Sequence, residues 1–422
     1  MSARTILYIN ATAELGGTDT DLFATVRALD KARFRPLVLL PGPGPFDDAY
    51  AALGVEVLHA PLPVINRAAR PGPLLASLAA SVGQIHRLIG ARGVDLVYTN
   101  SLLVLSGGLA ARLAGRPSLW HSGEFLDRPR LVGQALYALT GALAARIIVS
   151  SAAVRARFPA WARGRIDVVH NGIDLDRFQP AQDGAGVRRQ LGIPADVPVV
   201  GFVGRFIPWK GAHQFLRMAA RVRAAVPEAH FLLVGSRLPA YPNHEASLRA
   251  TIHALGLEAC TTLLADRLDI PDLLTAMDVF VHCSTRPEPF GIVIVEAMAA
   301  AKPVVAVRAG GVPEIIDRPD LGLLVPLGDV DAAAAAVIRL LRDRPLAEQL
   351  GRAARAHVTR HFDITAVTRR VEAIYEQVLA TTGRAARERR RRPGVPTIAW
   401  TRRASEFPAQ PPFGASLDRS SP

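Results

Sequence analysis

The sequence predicts an α/β protein of two doubly wound halves that face each other across a cleft. Three observations carry this. The chain has 422 residues, enough for two or three domains with full cores. Short apolar runs alternate with longer amphipathic segments almost throughout, the rhythm of strand–helix–strand units with a parallel sheet covered on both faces. The rhythm breaks over 175–197, a polar stretch with Pro180, Gly184, Gly186 and Pro194 that reads as a linker, and then restarts.

In the first half, residues 1–174, strands are expected at 6–10, 36–40, 55–59, 96–100, 118–121, 147–150 and 168–170. Each is a run of β-branched, aromatic or leucine residues. Helices are expected at 18–29, 74–91 and 131–145, where apolar residues recur at helical spacing. The stretch 131–145 is uncharged, but it is fifteen residues long with Gln134, Thr140 and two glycines. Spanning a bilayer takes about 20 apolar residues, so this reads as a core helix and no transmembrane segment is expected.

The second half, 198–361, supplies strands at 199–203, 230–234, 262–265, 279–283 and 304–307. A helix follows over 362–380, with Val367, Val371, Ile374 and Val378 on one face. From 383 to 422 the chain turns rich in arginine, proline and serine and reads as a disordered basic tail. Its nine arginines against Glu388, Glu406 and Asp418 supply +6 of the net charge of +13. The remainder is spread over the folded part and favours anionic partners. Interleaved aromatics in the tail are limited to Trp400, Phe407 and Phe413, so no nucleic-acid partner is expected. Cys260 and Cys283 make no disulfide framework, and with no signal peptide before the first strand a cytoplasmic location is expected.

Three motifs point to chemistry. Gly16-Gly17 follow the first strand and permit close backbone approach to a ligand, with Thr18 or Asp19 suited to cap the next helix. Gly42 and Gly44, set among prolines, read as a rigid turn. In Gly204-Arg205-Phe206-Ile207-Pro208-Trp209-Lys210-Gly211 two cations lie across a strand-to-helix turn and can converge on a diphosphate, Arg as a fork and Lys as a point charge. The most informative motif is Glu288-Pro289-Phe290-Gly291-Ile292-Val293-Ile294-Val295-Glu296. Gly291 opens a helix whose N-terminus suits a phosphate, and a carboxylate on either side can accept from sugar or ribose hydroxyls. The β-branched run 292–295 favours a strand by propensity. The alanines of 297–301, and the strand after Pro303, argue for a helix.

Together these residues resemble the retaining glycosyltransferases of the GT-B fold, family four. The resemblance covers residues 4–381 and rests on the Glu288…Glu296 pair, the Gly204-Arg205…Lys210-Gly211 turn, Asn171-Gly172-Ile173-Asp174, Asp278-Val279, Gly310-Gly311-Val312-Pro313-Glu314 and Gly322-Leu323-Leu324-Val325-Pro326, all in order. It implies two Rossmann-like domains, the first for acceptor and the second for the nucleotide sugar, with the 362–382 helix crossing back to the first. It implies that Arg205 and Lys210 bind the donor diphosphate and stabilise its departure. Glu288 is implied to contact the transferred sugar, His121 to sit near it, and Glu296 to hold the ribose hydroxyls. Backbone N–H groups of Phe290, Gly291 and Ile292 are implied to hold phosphate and sugar. Gly16 and Gly17 approach from the other domain, and Arg267 falls in the base-binding segment. One departure stands out: many members carry a glutamate soon after the paired glycines, where this chain has Thr18-Asp19.

The activity so implied is transfer of a glycosyl group from a nucleotide-diphospho-sugar to an acceptor hydroxyl with retention of configuration, in cell-envelope glycan, glycolipid or polysaccharide synthesis. The acceptor is a glycan, a lipid-linked sugar or a small molecule. No metal site is read from the sequence, and no cofactor or metal is expected. Basic residues of the first half (Arg67, Arg70, Arg112, Arg116, Arg128, Arg130) suit peripheral contact with an anionic membrane at the inner face of the plasma membrane. Two other readings are a sugar-nucleotide epimerase, against which the paired glutamates argue, and a non-catalytic binder of anionic surfaces acting through the tail. Truncation after Gly383 separates the last from an enzyme, which keeps its activity.

Overall fold

The first strand shows why the chain layers as it does. Ile6 and Tyr8 point to one side of it and Leu7 and Ile9 to the other, and all four are fully buried. A strand buried on both faces belongs to a parallel sheet with helices above and below. The computed structural model describes residues 3–13, 16–65, 71–126, 129–180 and 183–391 and shows two such sheets. Met1–Thr382 pack as one unit and Gly383–Pro422 form a second.

The first sheet holds β1 (Arg4–Asn10), β2 (Phe34–Leu40), β3 (Glu56–His59), β4 (Leu96–Asn100), β5 (Ser118–Ser122), β6 (Arg146–Val149) and β7 (Ile166–Val168), in the order β3-β2-β1-β4-β5-β6-β7. The second holds β8 (Val199–Val203), β9 (His230–Gly235), β10 (Thr261–Ala265), β11 (Val279–His282), β12 (Val304–Val307) and β13 (Leu323–Val325), in the order β10-β9-β8-β11-β12-β13. All pairings are parallel. These are the two doubly wound domains the sequence predicts.

Four expectations need correction. The seventh strand lies at Ile166–Val168, two residues earlier than expected, because His170 turns out of the sheet toward Glu314 of the second domain, 3.1 Å away. β13 was not expected as a strand; its three residues pair with Val305–Val307. The 175–197 segment is more than a linker. It contains the helix Gly184–Gln190, capped by the Asp183 side chain, and buries Val187 and Ile193 in the second core. The C-terminal helix spans Ile364–Arg391, so 383–391 is helical; the tail beyond it, 392–422, lies outside the described residues.

That helix returns to the first domain, as expected. Val367, Val371, Ile374, Tyr375 and Val378 pack with Ile6, Tyr8, Leu22, Val26 and Tyr98. Such side chains contribute roughly 1.5–3 kcal/mol each when fully buried. The Tyr8 and Tyr375 hydroxyls meet at 3.1 Å, and Glu372 accepts the Asp30 N–H at 2.8 Å. The chain crosses between the domains at one place: the Ile173 N–H donates to the Phe362 carbonyl at 2.7 Å and the Ile364 N–H to the Ile173 carbonyl at 2.9 Å.

Candidate functional site

The site grows from the turn after β8. A 3-10 turn, Pro208–Lys210, ends at Gly211 with φ +84°. A Cβ on Gly211 would lie 1.8 Å from the Cys283 carbonyl oxygen, so only glycine lets this turn press against the end of β11. The close approach brings Lys210 Nζ to Glu288 Oε1 at 2.7 Å. Gly310 (φ +64°) fits against the Glu288 backbone, where a Cβ would lie 1.9 Å from its carbonyl oxygen, and the Gly311 N–H donates to that oxygen at 2.8 Å.

Glu288 is 3% exposed. Its Oε1 accepts from Lys210, from Ser284 Oγ at 2.6 Å and contacts His282 Nε2 at 3.3 Å. Among the described residues its Oε2 has no partner. Burial by itself raises a carboxyl pKa; here the Lys210 ammonium and His282 outweigh it and hold Glu288 well below the usual range. The result is a fixed anion with one oxygen engaged and one to spare.

The expected helix forms over Ile292–Ala299, with Gly291 at its N-cap in the left-handed region, φ +107°. The N–H groups of Phe290, Gly291 and Ile292 make no protein hydrogen bond among the described residues. Across the cleft, the helix Gly17–Ala28 begins opposite: a Cβ on Gly17 would lie 3.8 Å from Ile292 Cγ2. Two helix N-termini therefore face one gap, a favourable place for a diphosphate. Gly16 caps the first of these, and neither Thr18 nor Asp19 caps it with a side chain. Asp19 is turned inward instead, accepting from Asn10 and Thr12.

Glu296 lies on the Ile292–Ala299 helix, half-buried, with no hydrogen bond to its carboxylate among the described residues. Burial raises its pKa to about 7, with Arg177 opposing. Phe290 is buried, its ring stacked on His170 at 5.5 Å. His121, at the end of β5, is buried, contacts Asn100 through Nδ1 at 2.9 Å, and burial lowers its pKa to about 4.

Two expected residues stand apart. Arg205 is exposed and its guanidinium makes no hydrogen bond or ion pair among the described residues; Lys210 has turned to Glu288 rather than converging with it. Arg267 is paired with Asp269, Nε to Oδ1 at 2.7 Å. Beyond the ends of β8, β9 and β10 lies a hollow of about 460 Å³ lined by Phe206, Arg237, Tyr241 and Asp266 among others.

Several participants escaped the sequence reading. His282 and Ser284 hold Glu288; their signal was their place at the end of β11. Glu314 spans the cleft, accepting from the N–H groups of Ala152 at 2.8 Å and Ala153 at 3.1 Å and contacting His170. Ser151 Oγ donates to the Pro289 carbonyl at 2.5 Å beside it.

Two family models match the chain: "Glycosyl transferases group 1" over residues 186–357 and "Glycosyltransferase Family 4" over residues 15–177. A D-inositol 3-phosphate glycosyltransferase of Corynebacterium jeikeium is 35% identical over 50% of this chain and 52% of its own length. A GDP-mannose-dependent monoacylated alpha-(1-6)-phosphatidylinositol monomannoside mannosyltransferase of Corynebacterium glutamicum is 34% identical over 44% of this chain and 50% of its own length. The chain thus spans about half the length of the curated relatives it matches. The crystal structure of Anabaena Alr3699/HepE with UDP and glucose superposes with a TM-score of 0.77 at 28% identity, over 89% of this chain and 100% of that one.

Proposed function

Since the chain belongs to the group 1, family 4 glycosyltransferases, we propose that it transfers a glycosyl group from a nucleotide-diphospho-sugar to an acceptor hydroxyl with retention of configuration. The observation that carries this is the buried Lys210–Glu288 pair beside two facing helix N-termini. Lys210, Arg205 and the N–H groups of Phe290, Gly291 and Ile292 hold the diphosphate and take up the charge that grows as it departs. Glu288 Oε2 accepts a hydroxyl of the transferred sugar. A carboxylate whose charge is so stabilised by Lys210 is a poor nucleophile, which favours front-face attack: the acceptor hydroxyl bonds to the anomeric carbon as the diphosphate leaves from the same face, and a diphosphate oxygen takes the proton. Glu296 holds the ribose hydroxyls, and Gly16, Gly17 and His121 close on the donor from the first domain, expelling water. The cations take the part a metal plays elsewhere, so turnover is expected to survive EDTA.

Calorimetry with UDP, GDP and ADP, repeated on Lys210→Ala and Arg205→Ala, tests the donor site. Selective binding weakened in both variants supports it. Equal binding by wild type and both variants overturns it. The base is open, since the relatives' names include a GDP-mannose user while the superposed structure holds UDP.

The acceptor side extends the reading. Helices Pro71–Arg92, Ser106–Leu113 and Arg130–Leu143 cover one face of the first sheet. Residues 71–166 hold eleven arginines against Asp95, Glu124 and Asp127. Leu75, Leu113, Leu131 and Trp161 are 57–80% exposed. Gly72–Arg92 is apolar and long enough to cross a membrane, although no spanning segment was expected from the sequence, yet Ile85 and Ile89 tie it to the sheet. Apolar side chains among arginines suit the surface of an anionic bilayer, reached at its cytoplasmic face. Of the basic residues first singled out, Arg112, Arg116 and Arg130 are exposed, while Arg67, Arg70 and Arg128 lie outside the described residues. Flotation with anionic vesicles, lost on neutral ones and in Leu131→Ser/Trp161→Ser, is the expected result; no flotation on anionic vesicles counts against it.

A further inference from the structure

A line of buried polar side chains crosses the carboxyl ends of three adjacent strands. Asn10 of β1 is level with Asn100 of β4, and Asn100 with His121 of β5. Asn10, Asn100, His121 and Asp19 are each at most 5% exposed. His121 Nδ1 meets Asn100 Oδ1 at 2.9 Å, Asn100 Nδ2 donates to Asn10 Oδ1 at 2.9 Å, and Asn10 Nδ2 donates to Asp19 Oδ1 at 2.7 Å. Thr12 Oγ1 also donates to Asp19, at 2.8 Å, and Asn10 Nδ2 to the Thr12 carbonyl at 2.8 Å.

The line has a direction, and the acceptors at its far end set it. The Thr12 carbonyl, which only accepts, and the Asp19 carboxylate both face the Asn10 NH₂, so the Asn10 oxygen faces Asn100. Asn100 then turns its NH₂ toward Asn10, and toward the Thr18 carbonyl at 3.4 Å, and its oxygen toward His121. That oxygen can only accept, so the imidazole must place its proton on Nδ1. The other ring nitrogen, Nε2, has no partner among the described residues. A neutral imidazole with its proton on Nδ1 offers a lone pair at Nε2.

We infer that Asn100, oriented by Asn10 and the acceptors behind it, is a positioning residue that fixes His121 as the Nδ1–H tautomer, so that Nε2 accepts a hydrogen bond from a hydroxyl of the donor sugar. The sugar part of this rests on the proposed function. Asp19, where this chain departs from the family pattern, is one of those acceptors and so lies behind the donor side of the site. The Nδ1–H tautomer makes His121 a reader of hydroxyl groups and not a stabiliser of the departing diphosphate, which needs donors.

The test is ¹⁵N NMR of histidine-labelled protein, without ligand and near neutral pH. His121 should show a protonated Nδ1 and an unprotonated Nε2; a protonated Nε2 overturns the inference, and this reading needs no variant. In Asn100→Leu nothing accepts from Nδ1. The His121 tautomer should become mixed and the donor KM should rise about tenfold, the worth of roughly one hydrogen bond. Asn100→Asp keeps an acceptor at Nδ1 and should keep Nδ1 protonated. A merely structural role for Asn100 gives no such difference between the two variants, and an unchanged tautomer with unchanged donor KM in Asn100→Leu also overturns the inference. Failure of the wild-type protein to bind any nucleotide sugar would sink the functional reading instead, and is seen in a separate titration of the same sample.

Discussion

Lys210 and Glu288 are the pair on which most depends at the scale of single residues. Removing the cation leaves a buried carboxylate uncompensated, so Lys210→Ala should cost about 3–5 kcal/mol of stability in urea denaturation. It should also lower kcat by about 10²–10³-fold through the lost leaving-group charge. Adding Glu288→Gln should recover much of the stability and none of the rate. Because the folded pKa of Glu288 is depressed, its stabilisation is full above the ordinary carboxylate range and is lost as pH falls below it. Glu296 behaves oppositely. Its pKa, raised to about 7, means that the folded state favours the protonated form, so stability falls as pH rises from about 4.5 to 7. Nucleotide affinity should tighten as pH rises through 7 and Glu296 ionises to accept ribose hydroxyls. Calorimetry from pH 5.5 to 8.5 should show this in wild type and not in Glu296→Gln. The types of these residues were legible in the sequence because their spacing was. Their partners were not: His282 and Ser284 reach Glu288 only because β11 ends where it does, and Lys210 reaches it across a contact that only Gly211 permits.

At the scale of elements, nearly every strand could be read from its apolar run, since burial on both faces leaves a continuous signal. The 292–299 helix was legible against its own β-branched composition because alanines and a following strand outvoted it. The Gly184–Gln190 helix was missed because glycine was read as a breaker. Gly184 is there for packing: a Cβ would lie 2.6 Å from the Thr275 carbonyl oxygen. Gly44 has the same explanation, with a Cβ 2.4 Å from the Ala13 carbonyl oxygen. Gly211 joins both demands, left-handed backbone and close approach. Gly211→Ala should destabilise by about 2–4 kcal/mol and misplace Lys210. Thermal unfolding and donor affinity should both report it; a normal melting temperature with normal affinity would show that the turn tolerates a side chain.

At the scale of the whole molecule, the contacts that join the domains had no signature in sequence, because their members lie far apart along the chain. Glu314 meets Ala152 and His170 across more than a hundred residues. Glu314→Ala should loosen the closed arrangement, seen as a larger radius of gyration in solution scattering. It should lower kcat more than it weakens nucleotide binding, since the proposed nucleotide site lies in the second domain. An unchanged radius with unchanged kcat would show that closure does not depend on this carboxylate. The last helix has a further consequence, in the order of synthesis. The first sheet is complete when the ribosome reaches β7, but the side chains that cover one of its faces, Val367 to Val378, are made some two hundred residues later. Until then Tyr8, Tyr98 and their neighbours lack part of their cover. A nascent first domain should therefore engage chaperones, and residues 1–174 expressed alone should aggregate unless the 362–382 helix is supplied with them.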